Sequence, residues 1–247
     1  MSHLRAVLWD MDGTLVDSEK LWTVALEELM VRLGTTLSDH AREALIGSNM
    51  RRSTLILLGE AGIEPTTEAI EDVERWLNAR MTVLLAGDVP WRPGAREALS
   101  SVRAAGIRTA LVTSTERALT EVALDSIGRD FFDVTVCGDE VGGENKPLPR
   151  PYLRAAELLG VDPADCVAVE DSVTGVTSAA AAGCTVLVVP AEAPVPPGQR
   201  RVLRESLVGV DADLLAGLLP VTRTADGWTD GAAPRPDGGA RDGTISR

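Results

Sequence analysis

Two carboxylates one residue apart, Asp10 and Asp12, close the first apolar run of the chain in Trp9-Asp10-Met11-Asp12-Gly13-Thr14. A carboxylate can attack phosphorus and form an acyl phosphate. A second carboxyl beside it can protonate the leaving group and then activate water. Gly13 permits a tight turn and close backbone approach. Alone, the pair also fits an acidic turn, a helix cap or a fragment of a calcium loop. Three further clusters raise the same kind of question. Thr113-Ser114-Thr115 offers small hydroxyls ahead of a helix start, suited to phosphate oxygens and equally to an ordinary N-cap. Lys146, in Asn145-Lys146-Pro147-Leu148-Pro149, is a compact positive charge; its only companion lysine among 24 basic residues is Lys20. A solvated loop lysine is the plainer alternative. Glu170 and Asp171, in Val169-Glu170-Asp171-Ser172, are hard oxygen donors of the kind Mg²⁺ takes beside a phosphate oxygen. They also suit the positive end of a helix dipole.

The elements that must position these clusters resolve the ambiguity. Strand-like apolar runs occupy Leu4–Trp9, Ile107–Thr113, Asp133–Cys137, Cys166–Val169 and Cys184–Val189. Helical composition or spacing fills Gly94–Ala105, Glu116–Ile127, Pro151–Leu159 and Val173–Ala182. Strands buried on both faces read as continuous apolar runs, and β-α alternation predicts a parallel sheet with right-handed crossovers. The expected fold is therefore α/β, a doubly wound, Rossmann-like parallel sheet. Such a sheet gathers ligands at the carboxyl ends of its strands, where all four clusters lie. Coincidence becomes the weaker explanation, and the set reads as a Mg²⁺ and phosphate site with a nucleophile.

One stretch breaks the alternation. Trp22, Leu26, Leu29 and Leu33 repeat at helical spacing, as do Ile70, Val73, Leu77 and Leu84. The expected organisation is a core of residues 1–16 and 89–220, a helical cap over 17–88, and a tail over 221–247. The tail is rich in Gly, Asp, Arg and Pro, a composition that builds no core.

Composition bounds the partners. Apolar residues make up 45% of 247, and a chain of this size buries roughly 70% of its unfolded surface. No apolar run approaches a membrane span, and the N-terminus lacks the pattern of a secretion signal. A cytoplasmic protein is the expectation. The net charge of −13 is the reverse of a nucleic-acid footprint. An anionic substrate then needs local help from a metal or a few cations. Cys137, Cys166 and Cys184 are odd in number and widely spaced, which fits buried thiols better than disulfides or a zinc site. With His3 and His40 as the sole histidines, histidine-centred triads are nearly excluded. Oligomeric state is not encoded in these patterns.

The order DMDGT, LVTST, NKPLP, VEDS resembles the haloacid dehalogenase superfamily of phosphotransferases over residues 4–219. The helical insert after the first motif looks like its small α-helical cap. Asp12 to Glu19 and Gly138-Asp139-Glu140-Val141 look like the branch of sugar phosphatases and β-phosphoglucomutases. The resemblance implies that Asp10 becomes the aspartyl phosphate and that Asp12 serves as general acid, then general base. It implies that Thr113 and Ser114 hold phosphoryl oxygens and that Lys146 balances charge. It places Mg²⁺ against Asp10, the Asp12 carbonyl, Asp171 and, directly or through water, Glu170. Arg150 departs from the branch, which usually carries an acidic residue after K-P-x-P.

The substrate implied is a small phosphorylated sugar or polyol. The mutases present a lysine before a cap glycine and an arginine shortly after it, to grip a second phosphate. Here Ile46 precedes Gly47, and Arg51 and Arg52, further on, read as a solvated helix face. Hydrolysis is therefore expected over mutase chemistry. A phospho-accepting receiver domain needs only about half this length and no helical insert. A non-catalytic phosphate-binding protein has no need of the Asp10/Asp12 pair.

Overall fold

A computed structural model describes residues 4–87, 89–191 and 193–220. Its strands are β1 (Ala6–Trp9), β2 (Arg108–Val112), β3 (Val134–Val136), β4 (Cys166–Glu170), β5 (Thr185–Val188) and β6 (Arg201–Leu203). They form one parallel sheet in the order β3-β2-β1-β4-β5-β6. β1, β4 and β5 are buried along their whole length, as strands covered on both faces must be.

Alternation along these strands separates two cores. Val7, Trp9, Leu111, Val167, Val169 and Leu187 face one side, packed by α5 (Ala95–Ala104) and α6 (Arg117–Ile127). Ala6, Leu8, Ala110, Val112, Ala168 and Val186 face the other, covered by α7 (Arg150–Leu159) and α8 (Val173–Ala182). The sheet is thus doubly wound, and the winding reverses between β1 and β4. That crevice is where open α/β sheets take their ligands.

Between β1 and α5 the chain runs through four further helices, α1 (Glu19–Arg32), α2 (Asp39–Leu45), α3 (Met50–Glu60) and α4 (Thr67–Leu85). Side-chain oxygens of Ser38, Asn49 and Thr66 cap the last three, accepting from Ala41, Arg52 and Ala69 N–H groups. The outgoing and returning chains cross side by side: Asp17 N donates to Pro90 O and Arg92 N to Leu15 O, each at 2.8 Å. Leu29, Met30, Leu57, Leu77 and Met81 of this segment join the core that contains Trp9.

Two elements differ from the sequence expectation. The edge strand β6 was not anticipated, because Val202 and Leu203 are 36% and 45% exposed and form no apolar run. A six-residue helix, Ala212–Gly217, the last among the described residues, is too short for its periodicity to show. Among the described residues no helix is long and apolar enough to cross a membrane, and all three cysteines are buried and free. The expected tail, 221–247, lies outside the described residues.

Candidate active site

Asp10 is the first residue beyond β1, and β1 sits between β2 and β4 in register Trp9↔Leu111 and Trp9↔Val169. Parallel pairing therefore delivers Thr113 to one flank of Asp10 and Glu170 and Asp171 to the other. Lys146 comes from the loop before α7. Its Nζ is 2.7 Å from Asp10 Oδ1, 2.7 Å from Glu170 Oε1 and 2.9 Å from the carbonyl of Val112. All three donors of the ammonium are used.

Asp10, Glu170 and Asp171 bring ligand oxygens within 4.8 Å of one another. Each is buried, with Glu170 fully excluded from solvent. Burial raises the Asp10 pKa to about 7 against the opposing pull of Lys146, with Glu170 and Asp12 adding to the rise. Asp171 is pushed up by burial and then by Asp10, Glu170 and Glu19. Three buried carboxylates face one ammonium, so the charge is unbalanced as it stands.

A divalent cation fits this deficit, and the donors are the hard oxygens Mg²⁺ takes. The backbone at Gly13 lies close against Asp171. A Cβ on Gly13, whose φ is +79°, would stand 2.3 Å from Asp171 Oδ2 and 2.9 Å from Glu19 Oε1. Glu170 differs from the two aspartates. Its Oε1 accepts from Lys146 and from the Tyr152 hydroxyl at 2.6 Å. Its Oε2 accepts from Asp171 N at 3.2 Å and Ser172 Oγ at 3.4 Å. Both oxygens are therefore already engaged.

Asp12 is turned away from that trio. Its Oδ1 accepts from Ser18 Oγ at 2.5 Å, and its Oδ2 from Thr115 Oγ1 at 2.7 Å and Thr113 Oγ1 at 3.2 Å. Hydroxyls both donate and accept, so this collar suits the carboxyl group with or without its proton. Thr113 is only 2% exposed, and its Oγ1 also accepts from Thr115 N at 3.0 Å. Ser114 and Thr115 reach the cavity wall. Thr113 Oγ1 thus reaches Asp12, next in the chain to Ser114 and Thr115 on the cavity wall.

A cavity of about 290 Å³ joins these groups. Asp10, Asp12, Lys146 and Asp171 line it from the sheet, and Trp22, Leu26, Leu45, Ile46, Met50 and Leu77 from the helical segment. The segment also touches the core at Asn78, whose Nδ2 donates to Glu116 Oε2 at 3.3 Å. Arg51 pairs with Glu74 at 3.4 Å, and both Arg51 and Arg52 are exposed away from the cavity. Arg150 opens α7 and pairs with Glu157 at 2.8 Å.

Residues 4–183 match the profile of the haloacid dehalogenase-like hydrolases. The chain belongs to this family. Among relatives of the haloacid dehalogenase-like chain, protein CbbY from Rhodobacter capsulatus is 34% identical over 198 residues, 77% of this chain and 87% of that protein. Hexitol phosphatase B from Escherichia coli (strain K12) is 34% identical over 190 residues, 76% of this chain and 85% of that one. A mutant of CbbY from Rhodobacter sphaeroides, solved in complex with xylulose-(1,5)bisphosphate, superposes with a TM-score of 0.76 at 30% identity. The match covers 86% of this chain and 99% of that one. A β-phosphoglucomutase from Clostridium difficile shares the fold, with a TM-score of 0.75 at 20% identity over 87% of this chain and 97% of that one.

Sequence reasoning overlooked three groups that hold this haloacid dehalogenase site. Ser18 lies six residues past Asp12 and obeys no spacing rule. Thr115 stood in the hydroxyl cluster without being singled out. Tyr152 is the one tyrosine of the chain, and that rarity beside the lysine loop was the signal available.

Proposed function

We propose that this protein is a Mg²⁺-dependent phosphatase of small sugar or polyol monophosphates that works through an aspartyl phosphate on Asp10. The observation that carries the reading is the divergence of two carboxyls one residue apart. Asp10 is held by Lys146 beside Asp171, Asp12 is held by three hydroxyls, and both face one cavity. The names of the hexitol phosphatase and of a phosphorylated carbohydrates phosphatase from Thermotoga maritima support the substrate class.

In the first step Asp10 attacks phosphorus, the bond from phosphorus to the ester oxygen breaks, and Asp12 gives its proton to the departing alkoxide. In the second, Asp12 takes a proton from water as that water attacks the phosphoryl group. The Asp10–phosphorus bond then breaks, releasing phosphate and restoring both carboxyls. Ser114 and the backbone N–H groups after β2 hold phosphoryl oxygens, and Lys146 offsets charge between them and Asp10. Thr113 keeps Asp12 aimed. Asp10, Asp171 and the Asp12 carbonyl would hold Mg²⁺, with Glu170 acting through Lys146 or a water. Bound there, the cation would supply charge stabilisation for the transferring phosphoryl group. The helices over 17–88 act as a cap that closes the cavity against bulk water, and the buried free thiols suit a reducing cytoplasm.

Ile46 precedes Gly47, and neither Arg51 nor Arg52 lines the cavity, which supports a cap without a cationic grip on a second phosphate. Hydrolysis is favoured over mutase chemistry for that reason. The test is phosphate release from a panel of sugar and polyol monophosphates, with Mg²⁺ and with excess chelator. Metal-dependent release that falls at least about 10³-fold in Asp10→Asn is expected. Release that survives the substitution, or isomerisation of a β-hexose 1-phosphate as fast as hydrolysis, would overturn it.

A further inference from the structure

Gly138-Asp139-Glu140-Val141, a motif already visible in the sequence, takes no part in the steps above. It follows β3 directly and lies against the loop that follows β2. Helix α6 starts at Arg117 with no side-chain cap from Glu116 and no acidic residue in its first turn. A cation at that position is set against the helix dipole, so it needs another reason to be there. The turn after β3 supplies one. Asp139 Oδ1 accepts from Arg117 N at 2.9 Å and caps the helix from outside.

The Arg117 guanidinium is fully engaged. Its Nε and Nη2 form a fork on Glu140 at 2.9 and 2.7 Å. Its Nη1 donates to Glu121 Oε1 at 3.0 Å and to Thr135 Oγ1 at 2.7 Å, and Nη2 also donates to the Thr135 carbonyl at 3.2 Å. All five donors are used. Glu140 is tied back in turn, since its Oε2 accepts from Cys137 N at 3.0 Å. Arg117 holds the Glu140 carboxyl below its ordinary range against the push of burial, so both partners are charged.

This clamp closes on Thr115. Gly138 N donates to the Thr115 carbonyl at 3.0 Å. A Cβ at Gly138 would stand 2.1 Å from the Ser114 carbonyl oxygen, so only glycine lets the two loops approach this closely. Thr115 Oγ1 then donates to Asp12 Oδ2 at 2.7 Å. An unbroken path thus runs from Arg117 and Glu140 through Gly138 and Thr115 to Asp12.

Resting on the phosphatase reading, we propose that Arg117 is a positioning residue: its fork with Glu140 fixes Gly138 against Thr115, and Thr115 aims the Asp12 carboxyl at the leaving oxygen. The two side chains are 30% and 38% exposed, and an ion pair so placed adds little to stability. Its effect falls on geometry, where a misplacement of about 1 Å can cost about 10²-fold in rate.

The test compares kcat/KM for glucitol 6-phosphate and p-nitrophenyl phosphate, with Mg²⁺. p-Nitrophenolate is a weak base and departs with little need of a proton, whereas an alkoxide needs the acid. Arg117→Lys keeps the charge and loses the fork. It should lower kcat/KM at least about tenfold on glucitol 6-phosphate and less than about twofold on p-nitrophenyl phosphate, with the melting temperature near the parent's. Glu140→Gln keeps the shape of the side chain and reads the clamp from its other partner. It should lower the ratio of the two values at least about threefold, and it decides alone if Arg117→Lys does not fold. In a Thr115→Ala background, Arg117→Lys should cost less than about a further twofold, because the link it acts through is already gone.

Equal loss on both esters, no loss on either, or effects of Arg117→Lys and Thr115→Ala that multiply would overturn the inference. With both esters cleaved by the parent, the phosphatase reading would still stand. No release from either ester by folded parent protein would overturn that reading, and this inference with it.

Discussion

Ser18 Oγ donates to Asp12 Oδ1 across 2.5 Å, and Ser18 is fully buried. The residue that opens the helical segment thus helps aim the carboxyl assigned as general acid and base. Ser18→Ala should lower kcat about tenfold, a part of the 10²–10⁴ such a group contributes, with KM little changed. Steady-state kinetics on one sugar phosphate checks this. An unchanged kcat would mean that Thr113 and Thr115 hold Asp12 unaided.

Lys146 is the buried cation between Asp10 and Glu170, 2.7 Å from each. Lys146→Met fills the space but leaves two buried carboxylates facing each other. Removing one partner of a buried ion pair costs about 3–5 kcal/mol. Urea denaturation should show a loss of that size, along with the loss of phosphate release. A cost below about 1 kcal/mol would mean the carboxylates are not charged together.

Tyr152 lies on α7, fully buried, with its hydroxyl 2.6 Å from Glu170 Oε1. Burial and the neighbouring carboxylates of Glu170 and Asp10 push its pKa well up, so it remains a donor. Tyr152→Phe deletes a buried hydrogen bond to a charged group, a loss of about 1.5–3 kcal/mol. For a chain of this length that corresponds to a fall in melting temperature of about 3–12 °C. Because Lys146 still holds Glu170, kcat should fall far less than in Lys146→Met.

The imbalance among Asp10, Glu170 and Asp171 predicts that Mg²⁺ stabilises the fold independently of turnover. At a hundredfold excess over its dissociation constant the gain is about 2.7 kcal/mol. Thermal melting with Mg²⁺ and with chelator should differ by several degrees, and Asp171→Asn should abolish the difference. An identical shift in Asp171→Asn would place the cation elsewhere.

Gly13 makes a separate test of the same space. Its φ of +79° suits glycine, and a Cβ would press on Asp171 Oδ2 at 2.3 Å. Gly13→Ala should cost at least about 1–2 kcal/mol from the left-handed backbone alone. It should also remove most of the Mg²⁺-dependent melting shift. Retention of both would show that the turn relaxes without disturbing Asp171.

Much of this was legible in the order of residues. β1, β2, β4 and β5 announced themselves because a strand covered on both faces has no polar side to show. The polar clusters followed those runs, and parallel pairing leaves one place for strand ends to meet, where Asp10, Lys146, Glu170 and Asp171 lie together. The edge strand β6 stayed hidden, since a strand with one free side and exposed Val202 and Leu203 has no such run.

The tertiary structure alone decided which way each group points. One residue apart in sequence, Asp10 turns to Lys146 and Asp12 to Ser18, Thr113 and Thr115. Likewise Glu170 is consumed by Lys146 and Tyr152 while Asp171 borders the cavity. Spacing along a chain fixes the side of a strand on which a residue lies, and it ceases to do so where the strand ends and turns begin. Beyond that point direction is set by partners from distant segments, such as Tyr152 on α7 and Lys146 in the loop before it, whose approach depends on how whole helices pack.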